Sequence, residues 1–233
     1  MCRTTLICLV LTCLVAAQPP KPQGPKVQTT PPPTEATVLF RGKDVSAWVR
    51  EKGGDPGWKV ADGVMTIEPK SGSIMTRKSY GDFRMHLEFL VPKGAKGNGN
   101  SGVYIQRRYE VQILESHGLE PKPHHCGALY RYRKPDASAA LPGGSWQSFD
   151  LWFRAPRWKA DGTKTEDARI TVIHNGLTVH HREKLTRKTG AGKKEGPKPQ
   201  PILLQDHGAK VRFRNIWIQE LADREIRKAM GEG

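Results

Sequence analysis

A chain of 233 residues admits one large domain or two small ones, and 36% apolar with 26% charged residues excludes a multi-span membrane protein. Its 24 glycines and 18 prolines favour a turn-rich fold over a helical bundle. With 38 Lys and Arg against 23 Asp and Glu, the formal charge of +15 draws anionic polymers, surfaces or glycans without specifying a fold.

At the N-terminus, Arg3 precedes an apolar run from Leu6 to Ala17 interrupted only by Thr12. The run closes on Val15, Ala16 and Ala17, small residues at the positions a signal peptidase reads, and it falls short of the roughly 20 apolar residues of a membrane span. An export signal over residues 1–17 is expected, with a periplasmic, cell-surface or extracellular destination and no stable membrane insertion after cleavage. Cleavage removes Cys2, Cys8 and Cys13 and leaves Cys126 alone, so an intrachain disulfide is excluded. Residues 18–36 hold Pro19, Pro20, Pro22, Pro25 and Pro31 to Pro33 with few apolar side chains, which predicts an extended, disordered linker.

From Thr37 to Leu221 the pattern has period two. Phe83 to Phe89 alternates apolar and polar throughout, as a half-buried strand does, and Phe149, Leu151 and Phe153 repeat the pattern. Asp62-Gly63 and Asn175-Gly176 each join two short apolar-alternating runs, and both dipeptides tolerate the positive φ of a two-residue hairpin. Val211 to Gln219 reads as a central strand with Phe213 and Trp217 on one face and Ile216 and Ile218 on the other. Only Ala222 to Met230, in a charged tail over residues 222–233, looks helical. Many short strands with turn signals predict one all-β sandwich over residues 37–221.

Within it, Tyr109, Val111 and Ile113 share one strand face and Glu110, Gln112 and Leu114 the other. Glu110 and Gln112 can line a concave sugar-binding surface, or belong to a solvated outer face. Gln205, Asp206 and His207 follow a strand; His207 can serve as a base oriented by its neighbours, or sit exposed after an Asx-type turn. His117, His124, His125 and Cys126 lack any familiar metal-ligand spacing, so no cofactor is expected and a divalent metal is not indicated. Residues 182–198 carry seven basic side chains against Glu183 and Glu195 but no aromatic to stack a base, which points to a solvated loop rather than nucleic-acid binding.

The series of motifs resembles one family. Residues 39–48 (LFRGKDVSAW), 57–63 (GWKVADG), 81–83 (GDF), 100–103 (NSGV), 109–114 (YEVQIL), 127–130 (GALY) and the closing LQDHG to FRNIW, over residues 204–217, follow the order of the 3-keto-disaccharide hydrolase family. The resemblance implies a concanavalin-like jelly-roll β-sandwich and cleavage of glycosides already oxidised at carbon 3. The ketone acidifies the carbon 2 proton, so a side-chain base can remove it, the carbon 1 substituent leaves by elimination, and water adds. Glu110 and His207 are the candidate bases. Gln112 and Arg107 are candidates to hold the ketone side, and Tyr104, Trp146 and Gln205 to bind substrate. A lectin-like module that binds glycan without cleaving it stays open, and in either case the expected partner is an oligosaccharide or glycoside met by a monomer.

Overall fold

The computed structural model describes residues 24–232; the expected signal segment lies outside the described residues. The chain forms an antiparallel jelly-roll sandwich of two sheets. The larger sheet runs in the order β13 (Leu177–Leu185), β12 (Ala168–His174), β9 (Trp146–Arg154), β6 (Phe83–Leu90), β15 (Arg212–Glu220), β4 (Val64–Thr66) and β3 (Lys59–Ala61), with β1 (Thr37–Phe40) also paired to β15. The smaller sheet runs β2 (Trp48–Arg50), β5 (Ile74–Tyr80), β14 (Gln200–Leu204), β7 (Ser101–Ile105) and β8 (Tyr109–Ile113). A short hairpin, β10 (Arg157–Trp158) with β11 (Lys164–Glu166), and the helix α1 (Asp223–Ala229) complete the fold. No helix among the described residues is long and apolar enough to cross a membrane.

Both expected two-residue hairpins form: Ala61 faces Val64 and His174 faces Leu177, with Asp62 and Asn175 at φ of 51° and 49°. The alternating strands send Phe83, Met85, Leu87 and Phe89, then Phe149, Leu151 and Phe153, into the core, where all are fully buried. Tyr109 of the smaller sheet meets Phe153 of the larger at 5.5 Å between ring centroids, and Phe89 meets Phe149 at 4.7 Å. Each such ring contributes on the order of 2 kcal/mol through removal from water.

Three expectations are corrected. Phe213 and Trp217 lie on opposite faces of β15, because the register slips by one residue between Arg214 and Trp217, opposite Glu88 and His86. The extra residue is accommodated at Asn215, whose φ is +46°. Phe213, Ile216 and Ile218 therefore enter the core, and Trp217 faces outward. Second, the described part of the Pro-rich segment is extended, as its composition predicts, but it is docked along the outer face of the larger sheet. Lys26 N donates to Asn175 O at 2.8 Å and Gln28 N to Ser148 Oγ at 3.0 Å. Thr30 O accepts from Trp217 Nε1 at 2.9 Å and from Asn215 Nδ2 at 3.1 Å. This strap explains why His86 and Glu88, polar members of an alternating strand, are fully buried rather than solvated.

Third, the basic loop after β13 is tied to the smaller sheet. Thr189 N donates to Arg108 O at 3.1 Å, Gly190 N to Tyr130 O at 3.0 Å, and Thr189 Oγ1 accepts from Glu110 N at 2.7 Å. Sequence charge alone could not reveal this, because most of the anchoring groups on the loop are main-chain atoms and Thr189, and its Glu195 is bound by Tyr109 Oη and Lys164 Nζ, which are distant in the chain.

The strap generates a stability prediction. A chain beginning at Thr34 loses the carbonyl that serves Trp217 and Asn215 and uncovers the outer face of β6 and β15, and each lost hydrogen bond contributes about 0.5–1.5 kcal/mol. Thermal unfolding of that chain, compared with one beginning at Gln18, is expected to show a melting temperature lower by several degrees. Equal melting temperatures would mean that the segment is a free linker.

Candidate functional site

The site grows from the β7–β8 hairpin. Register pairs Tyr104 with Glu110 and Gly102 with Gln112, so these four lie side by side on the face turned away from the core. Tyr109, Val111 and Ile113 fill the core on the other face, as the alternation predicts. Strand β8 would be a sheet edge, but residues 127–130 close it: Gln112 N donates to Ala128 O, Gly127 N to Gln112 O, and Tyr130 N to Glu110 O. The Glu110 main chain is thereby held on both sides.

The Glu110 side chain lies back over Gly102, where a Cβ would stand only 2.5 Å from Glu110 Oε1. Glycine is needed here for space, not for backbone conformation. Glu110 is 2% exposed, and its Oε2 is buried with no hydrogen-bond partner among the described residues. Burial pushes its carboxyl up to about 7, and the Tyr104 hydroxyl across the strand pair draws it only partly back. The same burial, with the Glu110 charge next in weight, raises the Tyr104 phenol well above its ordinary range, so it stays protonated. A carboxylate poised near neutrality beside a phenol that keeps its proton can act as a base paired with an acid.

Two cavities flank this pair. One, of about 200 Å³, is lined by Tyr104, Arg107, Gln205, Glu51, Ser73 and Lys193 among others. The other, of about 380 Å³, is lined by Asn100, Gln112, Leu114, His124, Tyr130 and Arg131 among others. Gln112 Nε2 donates to Asn100 Oδ1 at 3.0 Å, and Gln205 Nε2 reaches Tyr104 Oη at 3.4 Å. The carbonyl oxygens of both glutamines are buried without partners among the described residues. With Glu110 Oε2, three acceptor oxygens on one surface lack donors, which is unusual for buried polar atoms.

Of the residues singled out in the sequence, Glu110, Gln112, Tyr104, Arg107 and Gln205 come together. Gln112 and Arg107 do not share one end of the site: Gln112 sits opposite Gly102, while Arg107 lies beyond Tyr104 at the hairpin tip, so they line separate lobes. His207 is exposed on the loop after β14, and Asp206 accepts from Gly72 N and Gly208 N instead of orienting it. Trp146 lies on β9 of the other sheet, on its outer face, beneath the Arg214 guanidinium at 4.0 Å. No three His, Cys, Asp or Glu among the described residues gather as a metal site. His117 Nδ1 contacts Ala140 O at 2.9 Å, Cys126 is buried, and His124 faces the second lobe.

A family profile described as the 3-keto-alpha-glucoside-1,2-lyase-like domain matches residues 35–219. The chain belongs to this family. A presumed glycosyl hydrolase from Parabacteroides distasonis is 34% identical, with a TM-score of 0.75 over 89% of this chain and 95% of its own. Another from the same organism is 27% identical, with a TM-score of 0.57 over 81% of this chain and 100% of its own. No match is found among curated proteins. Membership in the 3-keto-alpha-glucoside-1,2-lyase-like family and these neighbours support a carbohydrate-processing enzyme with a saccharide substrate.

Sequence reasoning missed Gly102, Asn100, Tyr130 and Arg131, although residues 100–103 and 127–130 were prominent as motifs. It also missed Glu51 and Lys193. The last two reach the site from distant loops and carry no local signal.

The loop holding Lys193 depends on a close backbone approach: a Cβ at Gly192 would stand 1.9 Å from Arg108 O and 2.6 Å from its carbonyl carbon. Main chain cannot yield as a side-chain tip does, so Gly192→Ala is expected to lift the loop off β8. Limited trypsin digestion checks this. The variant is expected to be cut at Lys193 or Lys194 at least tenfold faster than the parent, by the populations of a detached loop. Unchanged cleavage would refute the anchoring.

Proposed function

We propose that the protein cleaves 3-keto-glycosides by elimination at carbons 1 and 2, with Glu110 as the base. The observation that carries this reading is the desolvated Glu110 carboxyl, near pKa 7 and without a cation, beside the protonated Tyr104 phenol. Glu110 takes the carbon 2 proton, which the carbon 3 ketone has acidified, and the C–H electrons pass into the enolate. The enolate collapses to the enone, forms the carbon 1–carbon 2 double bond and expels the carbon 1 oxygen, which takes the Tyr104 proton. Water then adds at carbon 1, returning a proton to Tyr104, and Glu110 returns its proton to carbon 2.

On this reading the Gln112 lobe takes the keto sugar. The unpartnered acceptors of Glu110 and Gln112 match sugar hydroxyl donors, and the Arg131 guanidinium, 5.3 Å from the Tyr130 ring, brings a positive charge to the rim of the same lobe. Tyr104 lines the opposite lobe, on the side from which a leaving sugar takes its proton. The base is Glu110, which stands between the lobe-lining Tyr104 and Gln112 on the sheet face, rather than His207, whose ring stands exposed on the loop after β14.

A 3-keto-disaccharide assayed beside its unoxidised parent tests the reading. Only the keto form is expected to be cleaved, with a rate that rises with pH through an apparent pKa near 7 as Glu110 loses its proton. Glu110→Gln is expected to lose 10²–10⁴-fold in turnover while remaining folded, roughly the worth of a general base. Tyr104→Phe is expected to slow poor leaving groups more than good ones. Full turnover in Glu110→Gln, or binding of the keto sugar without cleavage by the unmutated protein, would overturn the reading.

A further inference from the structure

The lobe beside Tyr104 holds more positive charge than its one carboxylate matches. Arg107 stands in the turn of the β7–β8 hairpin, where Gln106 and Arg107 both have positive φ, 50° and 56°. Side chains enter that region at a cost, so the turn must be held from outside. Gln106 is buried, donates from Nε2 to Tyr80 O at 2.8 Å and accepts at Oε1 from an Arg108 guanidinium nitrogen at 2.9 Å. Arg108 in turn donates to Lys194 O and Lys198 O. The supported turn directs Arg107 to Glu51, whose carboxylate accepts from one terminal guanidinium nitrogen at 2.6 Å.

The basic loop then brings a second cation to the same turn. Lys193 N donates to Arg107 O at 2.8 Å, and Lys193 lines the lobe together with Arg107 and Glu51. Glu51 occupies one guanidinium nitrogen, while Arg107 Nε is buried and has no acceptor among the described residues. Two cationic residues, Arg107 of the turn and Lys193 of the basic loop, thus line one lobe with a single carboxylate. Like charges confined in a cleft repel, and an anion bound between them offsets that cost.

We propose that this lobe selects a leaving sugar that carries an anionic group, a carboxylate or a sulfate, held by Arg107 and Lys193 together. The proposal rests on the cleavage reading above, which makes this lobe the leaving-sugar side. Glu51 then serves to orient Arg107 through one terminal nitrogen while leaving the other terminal nitrogen for the incoming anion.

The test compares three 3-keto-disaccharides that differ only in the leaving sugar: glucose, glucuronic acid and glucose 6-sulfate. At low ionic strength the unmutated protein is expected to favour one or both acidic substrates by about tenfold in kcat/KM through KM, the size of one charge-assisted contact, and to lose the preference at high salt. The comparison of carboxylate with sulfate identifies the group. Lys193→Gln is expected to bring the acidic-to-neutral ratio near one, and Lys193→Arg to restore it. In parallel, binding of free glucuronic acid and glucose 6-sulfate is measured against glucose by calorimetry. Equal kcat/KM for acidic and neutral substrates would overturn the proposal and leave the cleavage reading standing. If no keto-glycoside is cleaved but the acidic sugars bind in a Lys193-dependent way, the cleavage reading fails and the anionic lobe is upheld.

Discussion

The removal of water from the Glu110 carboxyl, with no cation supplied in exchange, is the constraint around which the smaller sheet is arranged. Its cost is borne by the sandwich: Tyr109, Val111 and Ile113 anchor the same strand in the core, and the edge beyond β8 is closed by residues 127–130 and by Thr189. The carboxyl can lie flat against the sheet only because Gly102 offers no side chain opposite it.

The larger sheet provides the contrast. Glu88 is as deeply buried as Glu110, yet it is held down at about 2. Burial pushes it upward, but the His86 imidazole 3.8 Å away and hydrogen bonds from Asn215 Nδ2 at 2.9 Å and Arg214 Nε at 2.7 Å outweigh that push. One glutamate is therefore a fixed anion in a structural network beneath the strap, and the other is a group that can change its proton count near neutrality. Burial alone does not distinguish them; the partners do. His86 belongs to the same network, with Nδ1 3.1 Å from Asp150 Oδ1.

Much of this was legible in the sequence where period two operates. The alternation in Phe83 to Phe89 and in Tyr109 to Leu114 assigns faces correctly, because a strand offers only two, and it sets Glu110 beside Gln112 without further information. The same rule failed at Trp217, where one extra residue at Asn215 reverses the face, and a bulge leaves no mark in the hydrophobic pattern. It could not show that the polar face of β6 is covered, since the cover is a Pro-rich segment whose contacts are main-chain carbonyls and amides. Within the site, Tyr104 and Gln205 follow from strand neighbours, whereas Glu51, Arg131 and Lys193 arrive from loops whose course depends on glycines and backbone hydrogen bonds.

Desolvation keeps the Glu110 carboxyl protonated over much of the acidic range. Infrared difference spectra between the unmutated protein and Glu110→Gln isolate the carbonyl stretch of that one protonated carboxyl, and its intensity can be followed against pH. A band is expected at the high frequency of a weakly hydrogen-bonded acid, disappearing with a midpoint near 7. A midpoint near 4.5, the ordinary value for a glutamate, would contradict it.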